Sequence, residues 1–356
     1  MHGMSTKKLS VVLCLLLIFA QFNGYSQIGG SKSFAFLQLP SSAKITALGG
    51  YTSIANENDL ASVTQNPSLL NSRMDNVWSL NICNYFEDIQ YGHIASAFDV
   101  KNVGTFGIGV NYINYGSFVL RDDIGNDLGT FKANENTFNF SYASKYRQFR
   151  YGGTAKLLFS SLDTYRSSGV AIDLGGSYTD SASGLGLSFS LLNVGSQVKK
   201  YTGETEALPF EARFAISKRL KHAPFRFTVT LHNLQKFDLT YEDPLDGTNQ
   251  IDLSTGLAIK KNYTIADKLM RHVALGTELL FSENFNLRFG YNHQLRREMA
   301  IVERPGTVGF SWGFGLRVKK ISFSYGMAKY HLSGNTNMFS LAVNPSDFYR
   351  KKKDKA

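Results

Sequence analysis

The residues in this chain best equipped for chemistry are its histidines, its loop aspartates, a glycine cluster and a cysteine. His272 and Glu278 stand six residues apart, while His232 and His293 belong to other segments. A helical zinc site sets two histidines at i and i+4, and no pair here has that spacing. Asp122, Asp123 and Asp127, then Asp238, Glu242, Asp243, Asp246 and Asp252, offer the hard oxygens that Ca²⁺ takes. They lack EF-hand spacing and read as solvated acidic loops. Gly104-x-x-Gly107-x-Gly109 has the composition of a phosphate loop. It lies inside a strand pattern with no helix after it, so glycines facing an interior account for it better. A lipase-like site needs Ser, His and an orienting group converging on one face, and nothing selects such a set. The expectation is therefore no catalytic residue, no metal, no cofactor and no enzyme.

The first 26 residues bear on the cysteines. Lys7 and Lys8 precede an apolar run from Leu9 to Ala20, and Gly24-Tyr25-Ser26 offers small residues for cleavage. This reads as a secretory signal peptide, too short to span a membrane as a helix. Cleavage is expected near Ser26, with Ala20 as the competing site. Cys14 follows Leu13, not the small residue of a lipobox. Removal of the segment leaves Cys83, with no disulfide or thiolate metal site to form. Past residue 26 no run of eighteen apolar residues exists. An exported chain of this kind is either soluble or a barrel.

The elements that would position these side chains decide between the two. The chain has 356 residues, 19% charged and 13% aromatic, with 32 Gly, which is aromatic-rich and charge-poor for a soluble domain. From Trp78 to Val343 it breaks into some fourteen stretches that alternate apolar and polar residues. Val308, Phe310, Trp312, Phe314, Leu316 and Val318, for example, oppose Gly309, Ser311, Gly313, Gly315 and Arg317. Lys156, Arg226, Glu278, Arg288 and Arg317 all fall on the polar phase. A charge facing lipid at mid-bilayer costs about 2–4 kcal/mol, so the apolar phase must face lipid and the polar phase an interior. The connections alternate too. Those near 101–103, 147–148, 180–183, 220–223, 282–284 and 319–320 are tight, whereas 116–135, 195–208 and 234–269 are long. This is the plan of a 14-stranded antiparallel transmembrane β-barrel, with both termini expected on the short-turn, periplasmic side.

The organisation expected is a signal peptide over 1–26, an N-terminal hatch or plug over 27–76, the barrel over 77–344 and a basic periplasmic tail over 345–356. The hatch carries turn signals rather than alternation, and 55–63 could form a short helix in it. The many interior Gly and Ser leave room for such a plug. The net charge of +10 concentrates at the tight-turn end and in the tail, with no nucleic-acid-binding signature, so no nucleic acid is expected. The connection 234–269 contains Phe237, Leu239, Tyr241, Leu245 and Ile251, which read as either a packed loop core or a partner-binding set.

The hatch and several strand ends also carry a resemblance. Ala47-Leu48-Gly49-Gly50, Asn66-Pro67-Ser68-Leu69-Leu70, Asn84-Tyr85-Phe86-x-Asp88, His232-Asn233-Leu234-Gln235 and Gly290-Tyr291-Asn292-His293 together resemble the PorV/PorQ family of type IX secretion barrels, whose fold is FadL-like. The resemblance implies an outer-membrane barrel of a Bacteroidetes-type bacterium. It further implies a non-enzymatic anchor for a PorZ-like surface protein, working with PorU and PorV where cargo is joined to lipopolysaccharide. Ala47, Leu48, Gly49, Gly50, Asn66 and Pro67 would be structural residues of the hatch. The rival reading is a FadL-like carrier of hydrophobic molecules, which would need a continuous apolar pocket. The listless polar phase of Ser, Gly, Arg and Asn counts against it.

Overall fold

In a computed structural model the chain forms a closed barrel of fourteen antiparallel strands, each paired to the next in sequence and the first to the last. The structure describes residues 32–51, 59–240, 263–299, 306–331 and 334–349. The strands are β1 Trp78–Asn84, β2 Gln90–Val100, β3 Gly104–Arg121, β4 Asp127–Tyr146, β5 Phe149–Leu162, β6 Tyr165–Asp180, β7 Leu185–Lys199, β8 Glu211–Arg219, β9 Phe225–Leu231, β10 Val273–Leu280, β11 Phe285–Asn292, β12 Phe310–Val318, β13 Ile321–His331 and β14 Gly334–Val343. Closure leaves no edge along the spanning part, which is the condition for a sheet to exist in lipid.

Two-residue periodicity decides what each side chain meets. Phe138 and Phe140, Ile172 and Leu174, Phe289, Phe310 and Trp312 are exposed on the outer wall. Lys156, Arg226, Glu278 and Arg288 are buried inside, as their phase requires. Arg317 keeps the interior phase but is exposed, because it lies where β12 reaches the tight-turn rim.

Two connections differ from the sequence reading. Residues 116–135, expected to be a long loop, are mostly strand: β3 and β4 run 18 and 20 residues and are joined at 122–126. A spanning strand needs about 9–11 residues. On the outer face the apolar phase stops at Tyr112 on β3 and Phe138 on β4, and Asn114, Asn134 and Lys132 follow. Beyond β5, which pairs with β4 only as far as Ala133, residues 117–132 form a two-stranded ribbon clear of the other strands. The connection from β11 to β12 holds a helix the sequence did not announce, His293–Met299.

Before the barrel, the described residues 32–51 and 59–76 form short turns and one α-helix, α1 Ala43–Ala47, capped by Ser42 accepting from the Ile45 amide. The helix expected over 55–63 is a 3-10 turn at Leu60–Thr64, and 52–58 lie outside the described residues. Further helices are α2 Ile265–Met270, α3 His293–Met299 and α4 Ser346–Tyr349. Lys32 bridges Ala207 in the connection after β7. The described residues therefore begin at the long-connection end, and β14 finishes at the tight-turn end.

Candidate functional site

The lumen is where the sequence motifs meet. Interior glycines of two wall sectors form the bed on which the N-terminal segment rests. In β10–β13, a Cβ on Gly313 would stand 2.7 Å from the Ala47 Cβ, and one on Gly276 3.1 Å from Leu48 Cδ2. Cβ atoms on Gly290 and Gly326 would enter the backbone of Leu48–Gly49 and of Ala43. In β5 and β6, one on Gly152 would stand 2.7 Å from the Pro67 carbonyl, and one on Gly175 would enter the Asn66 side chain. Ala47-Leu48-Gly49-Gly50 and Asn66-Pro67 are thus the two footprints of the segment. Gly49 and Gly50, at φ 86° and 85°, make the left-handed turn after α1 that a side chain would strain.

Hydrogen bonds lock both footprints. The Gly49 amide donates to Ser311 Oγ at 3.0 Å, and that hydroxyl donates to the Ala47 carbonyl at 3.0 Å. Asn292 Nδ2 donates to the Gly49 carbonyl at 3.1 Å, and the Ala43 amide to Ser340 Oγ at 2.9 Å. Asn66 accepts from the Ser68 amide at 3.0 Å and donates to the Phe189 carbonyl at 3.3 Å. These bonds satisfy backbone groups that would otherwise be buried without partners.

Charged side chains add a second layer. Arg213 meets Glu211 with two bonds of 2.6 Å, donates to Gln65 Oε1 in the segment and lies 4.7 Å over the ring of Tyr51. Tyr51 in turn stacks on His232 with ring centroids 4.2 Å apart. Glu278 receives Arg226 at 2.9 Å, Arg288 at 3.5 Å and Lys44 of α1 at 3.9 Å. Lys156 pairs with Asp173 at 2.6 Å and donates to Asn193 at 2.8 Å where β7 bulges. The described lumen wall is polar and hydrogen-bonded, and residues 43–49 and 66–68 of the segment pack against it.

Among the described residues, three of the spaces beside the segment can be compared. One of ≈ 30 Å³, between Leu37, Leu39, Leu60, Val63 and the β2–β5 wall, is partly apolar and holds about a water or two. One of ≈ 190 Å³ opens near Tyr51, Leu295 and Phe310 at the long-connection end. The largest of these three, ≈ 670 Å³, opens at the tight-turn end and is mainly polar. None of the three is a continuous apolar passage.

At the long-connection end the structure places some of the expected partner residues. Phe237 is exposed and Leu239 half-buried. Tyr241, Leu245 and Ile251 lie outside the described residues. His272 holds the start of this connection, with Nδ1 2.8 Å from the His232 carbonyl and Nε2 3.1 Å from that of Phe237. Asp267 of α2 ties it to α3, bonding Arg271 and Arg297, each at 2.9 Å, and approaching His293 at 3.7 Å. Lys268 bonds Asp238 at 2.6 Å. These histidines and acids hold connections together, and among the described residues no three form a metal-binding group. From sequence, 116–135 counts among the long connections able to dock a partner, but none of its residues is singled out, and it reads as loop where the ribbon 117–132 is paired strand. Phe118, Val119, Leu120, Ile124 and Leu128 are all exposed there, with Ile124 at 85%. Its one signal was the run Phe118-Val119-Leu120, apolar on both faces and so without alternation.

No protein-family model matches the chain, and no curated protein does either. Among solved structures, the TodX monoaromatic hydrocarbon channel, as a deltaS2 mutant, aligns with a TM-score of 0.50 at 11% identity, covering 86% of this chain and 98% of that one. The CymD monoaromatic hydrocarbon channel aligns at 0.49 and 12% identity, over 86% and 97%. A Pseudomonas aeruginosa FadL homologue aligns at 0.45 and 10%, over 85% and 98%. At such identities the TodX likeness speaks for the fold alone: this chain has the fold of an outer-membrane β-barrel.

Proposed function

We propose that the chain is a plugged outer-membrane barrel that anchors a soluble partner at the cell surface through its long connections. The observation that carries this reading is the ribbon 117–132, which stands beyond the lipid-facing band with five large apolar side chains exposed. Soluble surfaces rarely expose contiguous apolar patches without a partner. Phe237 and Leu234, exposed on the connection after β9, offer a second patch at the same end. The segment packed against the lumen wall points the same way, since it leaves the outer surface as the larger binding area. The motifs that resemble the PorV/PorQ family name the finer identity of the anchor. On that reading it is a non-enzymatic subunit of the type IX attachment complex, holding a PorZ-like protein alongside PorU and PorV while cargo is joined to lipopolysaccharide. The long connections then face outward and the tight turns face the periplasm.

The test is to replace 117–132 with a two-residue turn, to delete 238–252, and to combine both changes. The partner should be released into the medium while the barrel stays folded in the membrane. Retention of the partner by the folded double variant refutes the docking claim.

A FadL-like carrier of hydrophobic molecules is the second reading, favoured by the fold shared with the TodX channel and by a segment packed inside the barrel. It requires the segment to move, because the described spaces beside it are small or polar. Proteoliposomes that take up a labelled aromatic hydrocarbon faster than empty liposomes would favour this reading over the anchor.

A further inference from the structure

The ≈ 670 Å³ cavity at the tight-turn end has no part in anchoring a partner at the opposite end. Its volume falls within the range of small-molecule sites. The charges on its walls are lopsided. Lys44, Arg73, Arg219, Arg226, Arg288 and Arg317 line it, against two carboxylates, Asp59 and Glu283. Among the described residues, with Glu278 counted from its bonds to Lys44, Arg226 and Arg288, six cations face three anions.

The cations are layered by depth. Arg73, Arg219 and Arg317 are exposed, whereas Lys44, Arg226 and Arg288 are buried. An anion would meet solvated guanidinium groups first and less solvated ones further in. Between them stand neutral hydrogen-bonding groups, among them Ser79, Ser322, Ser324 and Asn284. Low-dielectric walls around a charge of one sign focus the field and raise the local concentration of counter-ions. Guanidinium groups also match phosphate and carboxylate oxygens in pairs.

We infer that this cavity is a binding site for a small multivalent anion bearing phosphate or carboxylate groups. The cavity is too large for one phosphate ion, and cations on several separate elements suit a ligand with several charges. The same chemistry could come from a soluble anion or from the phosphate of a lipid headgroup at the barrel rim.

The experiment uses the full chain purified in a neutral detergent, with tripolyphosphate as probe and titration calorimetry as readout. Saturable one-to-one binding is expected at low ionic strength, weakening as salt rises. Arg219→Ala with Arg317→Ala, both at the exposed mouth, should weaken it at least tenfold. Lys221→Ala, exposed at the same rim but not lining the cavity, should leave it within twofold. Repeating the titration with monomeric short-chain phosphatidylglycerol added to the same neutral detergent separates the two sources. Competition with tripolyphosphate assigns the site to headgroup phosphate, and its absence assigns the site to a soluble anion. Absence of saturable binding, or binding unchanged by the double variant, overturns the inference.

Discussion

Glu211→Ala tests whether the segment is held to the lumen wall by ionic contacts or merely rests on it. Arg213 is 2% exposed and Glu211 1%, and two bonds of 2.6 Å join them. Removing the carboxylate leaves a buried guanidinium whose remaining contacts in the segment are the Gln65 oxygen and the face of Tyr51. Breaking a buried pair on one side costs about 3–5 kcal/mol, while replacing both partners with apolar residues of similar volume is often neutral. The prediction is a loss of about 3 kcal/mol for Glu211→Ala, because the Tyr51 contact still shelters part of the charge. Glu211→Leu with Arg213→Met should recover at least about 2 kcal/mol of that loss. Reversible urea unfolding in phospholipid vesicles reads both variants by tryptophan fluorescence. Trp78 and Trp312, the chain's two tryptophans, are both exposed on the lipid face and report departure from the bilayer. A single variant within about 1 kcal/mol of wild type, or a double variant no more stable than the single one, would refute the reasoning.

Three further outcomes follow from the same geometry. Phe289→Arg, on the lipid-facing wall, should cost about 2–4 kcal/mol in the vesicle assay, whereas Val119→Arg on the ribbon should stay within about 0.5 kcal/mol. Gly290→Leu should push the Leu48–Gly49 backbone off the wall, so protease should cut the N-terminal segment sooner while circular dichroism shows the strand content unchanged. Acid should loosen the contact between α2 and α3. Burial raises the Asp267 carboxyl, but its bonds to Arg271 and Arg297 outweigh this and hold it below the usual value, and the bond from Lys268 does the same for Asp238. A depressed folded value stabilises above the unfolded value, near 3.9 for Asp, and the benefit is lost as pH falls through the folded one. Protection of the amides of residues 264–272, read as exchange relative to the intrinsic rate, should therefore fall below about pH 4 in wild type, and be low already at neutral pH in Asp267→Asn.

Much of the barrel was legible because lipid and lumen impose opposite demands on neighbouring residues. Phe289 and Arg288 cannot exchange places without a charge in hydrocarbon, so their order in the chain reports their faces. That constraint lapses where water meets both faces. Ser117–Lys132 therefore looked like a loop although it is paired strand. The helix His293–Met299 escaped for a related reason, being too short to show a period against the strands on either side.

The sequence by itself determined the barrel, its strand order and the side of each wall that carries charge, because alternation is local and its penalty falls on single residues. Tertiary structure alone decided what the interior glycines are for. Gly152, Gly175, Gly290 and Gly326 are scattered over nearly two hundred residues, and only closure of the sheet brings them beneath two short stretches of the N-terminal segment. It likewise decided that Arg213 should meet Gln65 and Tyr51, and that arginines from distant strands should ring one cavity. Such meetings depend on the register and curvature of the whole wall, which no local pattern encodes.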